Sequence, residues 1–397
     1  MTVRTILISG AGIAGPALAF WLKVAGFQPT MVERASAIRS GGYVIDFWGR
    51  GYDIAERMGM TEELERIGYH IRQMRIVNDR GARIAGFGTG VFRELTGGRF
   101  VTLARSDLSR LLHGKIGQGT EIIFDDEIVA LQQHEDHVHV RLRTSGELRF
   151  DAVIGADGLH SAVRRLEFGP QEQFEKPLGY AVAAFEVPGY RPRDENVYVI
   201  HNAPGRMLGR VALRDDRTLF LLVFTAEGLA ATSDVRGQKA VLRARFGDGG
   251  WECKQILAAL DRTDDLYFDR VSQIRMDRWS RGRVALIGDA AFCLSLMAGQ
   301  GSAMAMTAAF VLAGELAKAE GRHQDAFSRY EALLRNHIAA KQEGAKRFSA
   351  AFAPRTRCGL FLRNQVIRAS ALPGLATLTF GRGIIDRLQL PDYRWLV

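Results

Sequence analysis

No stretch constrains this chain more than TILISGAGIAG, residues 5 to 15. Ile6, Leu7 and Ile8 form a short apolar run of the kind that lies inside a parallel sheet. Gly10, Gly12 and Gly15 follow it as G-x-G-x-x-G. The first glycine permits a tight turn, the second lets a diphosphate approach the backbone, and the third lets helix and strand pack closely. Ala14 and Gly15 open a helix whose free amides and positive dipole end suit phosphate. QPTMVER then reads as a second strand carrying Glu33, 18 positions after Gly15. A carboxylate there accepts hydrogen bonds from ribose hydroxyls and repels a 2′-phosphate, so the site suits the adenosine half of FAD or NAD and not NADP. Arg34 follows, either in reach of an adenine or a phosphate or simply on the surface.

Two later stretches separate the cofactors. DAVIGADGLHSAVRRLE, residues 151 to 167, is a strand running into a glycine turn and a helix, and GRVALIGDAA, residues 282 to 291, is a strand ending in Gly-Asp. With the first loop, these segments resemble the three fingerprints of the class A flavoprotein monooxygenases, the p-hydroxybenzoate hydroxylase group, and the tetracycline-inactivating monooxygenases are among the nearer look-alikes. The resemblance covers nearly all of the chain and implies FAD. It places Asp289 on ribityl hydroxyls with Gly288 beside the cofactor, Asp157 near the diphosphate, and Arg105, in LARSDLSRLL, against FAD.

The stretch GDAAFCLSLMAGQG, residues 288 to 301, departs from the family pattern: Phe292 stands for a frequent His and Leu296 for a frequent Pro. Gly299, Gln300, Gly301 and Ser302 remain, and a charge-free helix follows, with Ala303 and Ala308 where relatives often carry Asn and Asp. A helix beginning at these glycines aims unpaired amides at whatever precedes it. The resemblance puts the flavin ring there, where such amides stabilise its reduced, negatively charged form. That role uses backbone and survives a changed side chain. The reading is a working site with a reshaped pocket.

The predicted fold is α/β: a Rossmann-like FAD-binding domain of parallel sheet and helices, a mostly antiparallel β-sheet substrate domain, and C-terminal helices. The FAD domain is expected to be discontinuous, over 1–72, 102–173 and 271–345. The substrate domain takes 73–101 and 174–270, and 346–397 forms a terminal helical segment. GYAVAAFEV, NVYVIHNA, GRMLGRVAL and RTLFLLVFTAE read as the substrate strands. Between sheet and flavin an apolar, aromatic pocket is expected, with Tyr43, Phe47, Met207, Phe220, Phe224 and Phe292 as candidate walls and His201 and Arg210 as its polar groups. Alternation puts Phe220, Leu222 and Phe224 on one strand face, which could be pocket or core.

Other features point away from rival classes. Cys253, Cys293 and Cys358 have neither disulfide nor zinc spacing. His134, His137 and His139 read as an exposed hairpin strand rather than a metal site. Between residues 346 and 397, nine Lys or Arg face two Asp, so +7 of the net +9 lies there. With apolar residues interleaved (Phe348, Phe352, Leu360, Phe361, Val366, Ile367), this reads as the solvated face of terminal helices, not a nucleic-acid surface. Neither the short N-terminal run nor the Met/Ala-rich stretch 290–314 reads as membrane-spanning, and a cytoplasmic monomer or homodimer is expected.

The resemblance implies the reaction. NADPH or NADH, binding transiently, reduces FAD, and O2 forms a flavin C4a hydroperoxide that hydroxylates an aromatic or polycyclic substrate. It implies no essential side-chain acid or base. A prenyl-type flavin reductase and a non-catalytic flavin-binding protein remain alternatives. The Trp-x-Trp-x-Ile-Pro motif of flavin halogenases is absent.

Overall fold

The computed structural model describes residues 3–38, 42–117, 119–229, 234–370, 386 and 388–393. Its first layer is a six-stranded sheet in the order β17 (Ser280–Arg281), β18 (Val284–Leu286), β11 (Ala152–Gly155), β1 (Thr5–Ser9), β2 (Gln28–Glu33), β7 (Glu121–Phe124). All neighbours are parallel except β17 with β18. Strand β1 lies inside the sheet, and Ile6, Leu7 and Ile8 are fully buried there, as its unbroken apolar run requires. A hairpin sheet of β8 (Ile128–Gln133), β9 (Val138–Leu142) and β10 (Glu147–Phe150) adjoins this domain.

Helix α1 (Ala14–Val24) runs back along the sheet and packs on the long buried α10 (Gly301–Lys318). Their close approach follows from the Ala- and Gly-rich sequence, with Trp21 and Phe310 meeting edge to face at 4.9 Å. Helices α2 (Arg50–Arg57) and α11 (His323–Phe352) also lie on α10, and α5 (Arg105–Ile116) lies on α1. Smaller helices are α3 (Thr61–Ile67), α4 (Gly90–Leu95), α6 (Ala162–Glu167) and α9 (Asp289–Phe292).

The second layer is a seven-stranded sheet. Its order is β16 (Leu266–Ile274), β12 (Glu175–Pro188), β15 (Arg217–Thr225), β14 (Arg206–Ala212), β13 (Val197–Ala203), β4 (Gln73–Val77), β5 (Arg83–Gly88). Only β13 and β4 run parallel. The four substrate strands read from the sequence are all present. A two-stranded ribbon, β3 (Val44–Trp48) with β6 (Phe100–Ala104), connects the layers.

Two helices between β15 and β16, α7 (Val235–Phe246) and α8 (Cys253–Leu260), cover one face of this second sheet. They were not anticipated, although Val241, Leu242, Phe246 and Ile256, Leu257, Leu260 carry helical spacing. Helix α11 passes unbroken through residue 345, where the sequence suggested a division. The terminal segment contributes α12 (Arg357–Ala369), on which Phe361 and Val366 stand 61% and 52% exposed instead of packing inward. Arg382, Arg387, Arg394 and the Phe348 side chain lie outside the described residues. Among the described residues no helix is long and apolar enough to cross a membrane.

Candidate active site

The glycine loop is shaped as its spacing requires. Gly10 has φ +102°, and its amide donates to Val32 O at 2.7 Å, joining the end of β1 to β2. A Cβ on Gly10 would lie 2.6 Å from Ala156 O, and one on Gly15 would lie 1.9 Å from Gly10 O. Gly12 differs, because a Cβ there would meet only Arg105 Nη2, at 3.5 Å. Two glycines therefore serve packing and the third leaves its approach open, the arrangement a diphosphate needs.

Glu33, at the end of β2, accepts the Ala11 amide at 2.8 Å through Oε2 and the Ala35 amide at 3.0 Å through Oε1. Arg34 beside it is exposed. Arg105 starts α5, its amide donating to Tyr43 O at 3.0 Å, and its guanidinium has no hydrogen-bond partner among the described residues. Its charge reaches Asp289, whose carboxyl is pushed up by desolvation while Arg105 and a bond to Cys293 oppose the shift. Gly288, at φ +60°, turns the chain into α9, and a Cβ on Gly301 would sit 3.8 Å from Asp289 Oδ1. The glycine loop, Arg105, Asp289 and the start of α10 thus meet at the carboxyl ends of the inner strands of the first sheet.

The loop before α10 is held from outside. Gln300 is the residue before the first helical turn, and its side-chain oxygen accepts from Lys341 Nζ on α11. Gly299 takes φ +64°, and a Cβ there would lie 3.5 Å from the Trp48 ring. Phe292 turns away from this loop and packs on Trp279, with ring centroids 4.8 Å apart. Leu296 and Met297 instead meet the second sheet, in a cluster with Tyr180, Val182, Met207, Val223 and Val271.

Asp157 lies beside the glycine loop, where a Cβ on Gly10 would come within 2.8 Å of its Cα. Its carboxylate accepts Ser161 Oγ at 2.5 Å and the Ala162 and Val163 amides at 2.8 and 3.1 Å, so it holds the first turn of α6. It shapes the turn that follows β11. Arg164, buried, donates to Ala290 O and Leu159 O and so ties α6 to the Asp289 segment. His160 reaches across to the second sheet and meets Asp269 Oδ2 at 3.0 Å.

The sheet face that looks toward these groups is fixed by strand alternation. It carries Tyr180, Val182 and Ala184 of β12, Met207 and Val211 of β14, Leu219, Leu221 and Val223 of β15, and Tyr267 and Val271 of β16. Of the expected pocket residues, Tyr43 and Met207 lie here, Tyr43 against Tyr267 with ring centroids 5.5 Å apart. Phe220 and Phe224 lie on the opposite face, packed under α7 and α8. So do His201, which pairs with Asp79 at 2.7 Å, and Arg210, which pairs with Asp194 and Glu252 and stacks on Trp251. Phe47 is wholly buried in the first domain's core. These four back-face residues, with Phe47 and Phe292, are structural. The sequence reading missed Asp46, Tyr198, Tyr267 and Asp269, which do face the junction. An open, charged hollow of 540 Å³ on the outer side of α2, lined by Arg50, Arg57 and Arg99 among others, is remote from the glycine loop, and Arg50 and Arg99 are already paired with Asp53.

Comparison with known proteins gives the same picture. Residues 3–342 match the model of the FAD binding domain family. A flavin-dependent monooxygenase of Legionella longbeachae is 34% identical over 352 residues, 85% of this chain and 87% of that protein. A protein of Mycobacterium tuberculosis is 39% identical over 350 residues, 86% of this chain and 92% of that one. The crystal structure of tetracycline destructase Tet(55) superposes with a TM-score of 0.85 at 31% identity, covering 98% of this chain and 99% of that one. That of Klebsiella pneumoniae HpxO with FAD and uric acid, at 23% identity, shares the fold with a TM-score of 0.79, over 96% and 95% of the two chains.

Proposed function

This chain belongs to the FAD binding domain family and is a class A, flavin-dependent monooxygenase, and from that premise we propose that it hydroxylates an aromatic or polycyclic molecule at the expense of NAD(P)H and O2. The observation that carries the reading is the meeting of the open Gly12 approach, Arg105 and Asp289 with a tyrosine-bearing sheet face. A likeness to a tetracycline destructase supports a polycyclic substrate.

FAD, once reduced by the nicotinamide cofactor, supplies the activation of O2 and the transfer of one oxygen atom. The residues fit it. The loop amides at Gly12, Ala14 and Gly15 would hold its diphosphate, with Gly10 shaping the turn, Glu33 and Arg34 its adenosine end, and Gly288 and Asp289 its ribityl hydroxyls. Arg105, whose guanidinium has no hydrogen-bond partner among the described residues, would offset the diphosphate charge. The amides around Gly299, Gln300, Gly301 and Ser302 would face the ring, with Lys341 fixing the Gln300 side chain. Met207, Leu221, Val223, Leu296 and Met297 line the junction with apolar surface and so exclude water, which oxygen transfer requires.

The test is NADPH oxidation by FAD-loaded protein in air, with and without phenols and polycyclic aromatics, titrating peroxide alongside. A compound that speeds oxidation without matching peroxide, and gains one oxygen atom, is expected. If every compound leaves the rate unchanged, or all flux appears as peroxide, the hydroxylase reading fails.

A further inference from the structure

Helix α12 is turned inside out. It packs on β5 and β13, and the side it turns to them carries Arg363, whose guanidinium donates to Asn202 Oδ1 at 3.0 Å and Phe352 O at 3.3 Å. Burial pushes that guanidinium below its ordinary value. Phe361, Leu362 and Val366 point the other way and stand 61%, 58% and 52% exposed. At 3.6 residues per turn they share one face with Cys358, Gln365 and Ala369, all exposed. Arg357 and Arg368, also exposed, lie along one border of that face, beside Phe361. Apolar side chains scattered singly over a surface are ordinary, whereas adjoining ones on a single helix face mark a surface that something covers.

Charge identifies the cover. From residue 344 to residue 370 the sequence has six Lys or Arg and no Asp or Glu. Arg355 stacks over the Tyr180 ring at 5.6 Å, and Arg363 and Arg368 donate to uncharged oxygens. Among the described residues no carboxylate pairs with Arg355, Arg357, Arg363 or Arg368. A second copy of the chain fits poorly. Pairing α12 with itself about a two-fold axis sets cation against cation, with no acid on either helix. Three large apolar side chains also fall short of the roughly 800 Å² that each partner buries in a standard interface. Nucleic acid would take the arginines and leave Phe361, Leu362 and Val366 in water. An anionic bilayer meets both needs, because a helix lying in its interface puts apolar side chains into the acyl boundary and cations on the phosphates.

We propose that the outer face of α12 seats the protein on the surface of an anionic lipid bilayer, with Phe361, Leu362 and Val366 in the acyl boundary and Arg357 and Arg368 on headgroup phosphates. The helix has 13 residues, about 20 Å of length, so it lies along the surface and does not cross it. The attachment is reversible, since one short helix face buries little apolar area and the rest of the attraction is electrostatic. It does not depend on the hydroxylase reading, because lipid binding needs neither NADPH nor turnover. It revises the expectation that the basic terminal segment is only a solvated face.

The test sediments the full chain, loaded with FAD, with vesicles of phosphatidylglycerol and phosphatidylcholine in equal parts, and with phosphatidylcholine vesicles alone. Cys358 is exposed while Cys253 and Cys293 are buried, so a polarity-sensitive dye on the Cys358 thiol reports contact at this face. Wild type is expected to sediment with the anionic vesicles only, to be released by high salt, and to show a blue shift of the dye on the same vesicles. Arg357→Glu should weaken the partition by roughly tenfold or more. Phe361→Ser with Leu362→Ser should abolish it at an unchanged melting temperature. Equal binding to both vesicle types, binding that survives the double serine variant, or a dye that stays in water on bound protein would each overturn the proposal. So would a dimer lost in the double serine variant without vesicle binding, which assigns the face to a second copy, or retention of duplex DNA without vesicle binding, which assigns the arginines to nucleic acid. If the variants fail to fold, the dye and the lipid preference of wild type decide.

Discussion

Glu33 Oε2 accepts the Ala11 amide at 2.8 Å, so the acid expected to hold ribose also ties the end of β2 to the glycine loop. Its two oxygens take one loop amide and the Ala35 amide. Glu33→Ala should weaken FAD binding and also loosen the FAD-free protein by about 1–3 kcal/mol, the scale for orphaned buried donors. Glu33→Gln keeps one good acceptor and should fall between. Titration of FAD fluorescence and thermal melting of the FAD-free protein separate the two effects, and an unchanged melting temperature in Glu33→Ala would contradict the tie.

Gly12 and Gly15 should respond differently to the same methyl group. In Gly15→Ala the Cβ meets Gly10 O at 1.9 Å, so strand and helix must part and the protein should not accumulate folded. In Gly12→Ala the nearest atom is the flexible Arg105 guanidinium at 3.5 Å, so the fold should survive. FAD affinity should drop by at least roughly tenfold, or about 1.4 kcal/mol. Gly12→Ala protein that binds FAD as wild type does would remove the open approach from the model of the site.

Asp289 makes a prediction with two signs. Burial raises its carboxyl, so its contribution to stability is present below the ordinary carboxylate range and is lost as pH rises through the raised value. At neutral pH the buried carboxyl weighs against the FAD-free fold. Asp289→Ala should therefore melt no lower than wild type without FAD, yet lose FAD on gel filtration. A variant that melts lower and keeps its flavin would reverse both assignments.

What could be read in the sequence was local. Strand, glycine loop, helix and Glu33 occur within 29 residues, Thr5 to Glu33, and each residue's role follows from its immediate neighbours. The parity of β15 was also legible, since Phe220, Leu222 and Phe224 do share a face. Which face was not legible, because both sides of that sheet are covered and so both are apolar. Helices α7 and α8 settle it, and they come later in the chain. His201 and Arg210 went the same way: polar residues in apolar strands suggest a ligand, but here they pair with Asp79, Asp194 and Glu252.

The His160–Asp269 contact joins the turn before α6 to the second sheet. The hydrogen bond to Asp269 raises the imidazole, against desolvation. Its stabilisation is full below the ordinary histidine value near 6.5 and is lost as pH rises through the raised one. His160→Gln should melt below wild type at about pH 6, by roughly 0.5 kcal/mol for so exposed a pair, with the difference closing by about pH 9. A difference that is the same at both pH values would mean that His160 contributes packing, not charge.

Phe220 and Leu221 are neighbours in sequence on opposite faces of β15, and their truncations should separate stability from substrate binding. Phe220 is fully buried against Phe185 at 5.1 Å and Tyr190 at 4.8 Å, beneath the α7–α8 layer. Phe220→Ala should cost about 3–5 kcal/mol of stability and leave the KM of the surviving folded enzyme unchanged. Leu221 is only half-buried and touches both apolar clusters at the junction. Leu221→Ala should cost less stability but change KM for the hydroxylated compound, because the side chain removed is part of the surface a guest would meet. Melting curves and steady-state kinetics on the two variants decide it. If Phe220→Ala shifts KM and Leu221→Ala does not, the substrate lies on the helix-covered side, and the tyrosine-bearing face loses its role.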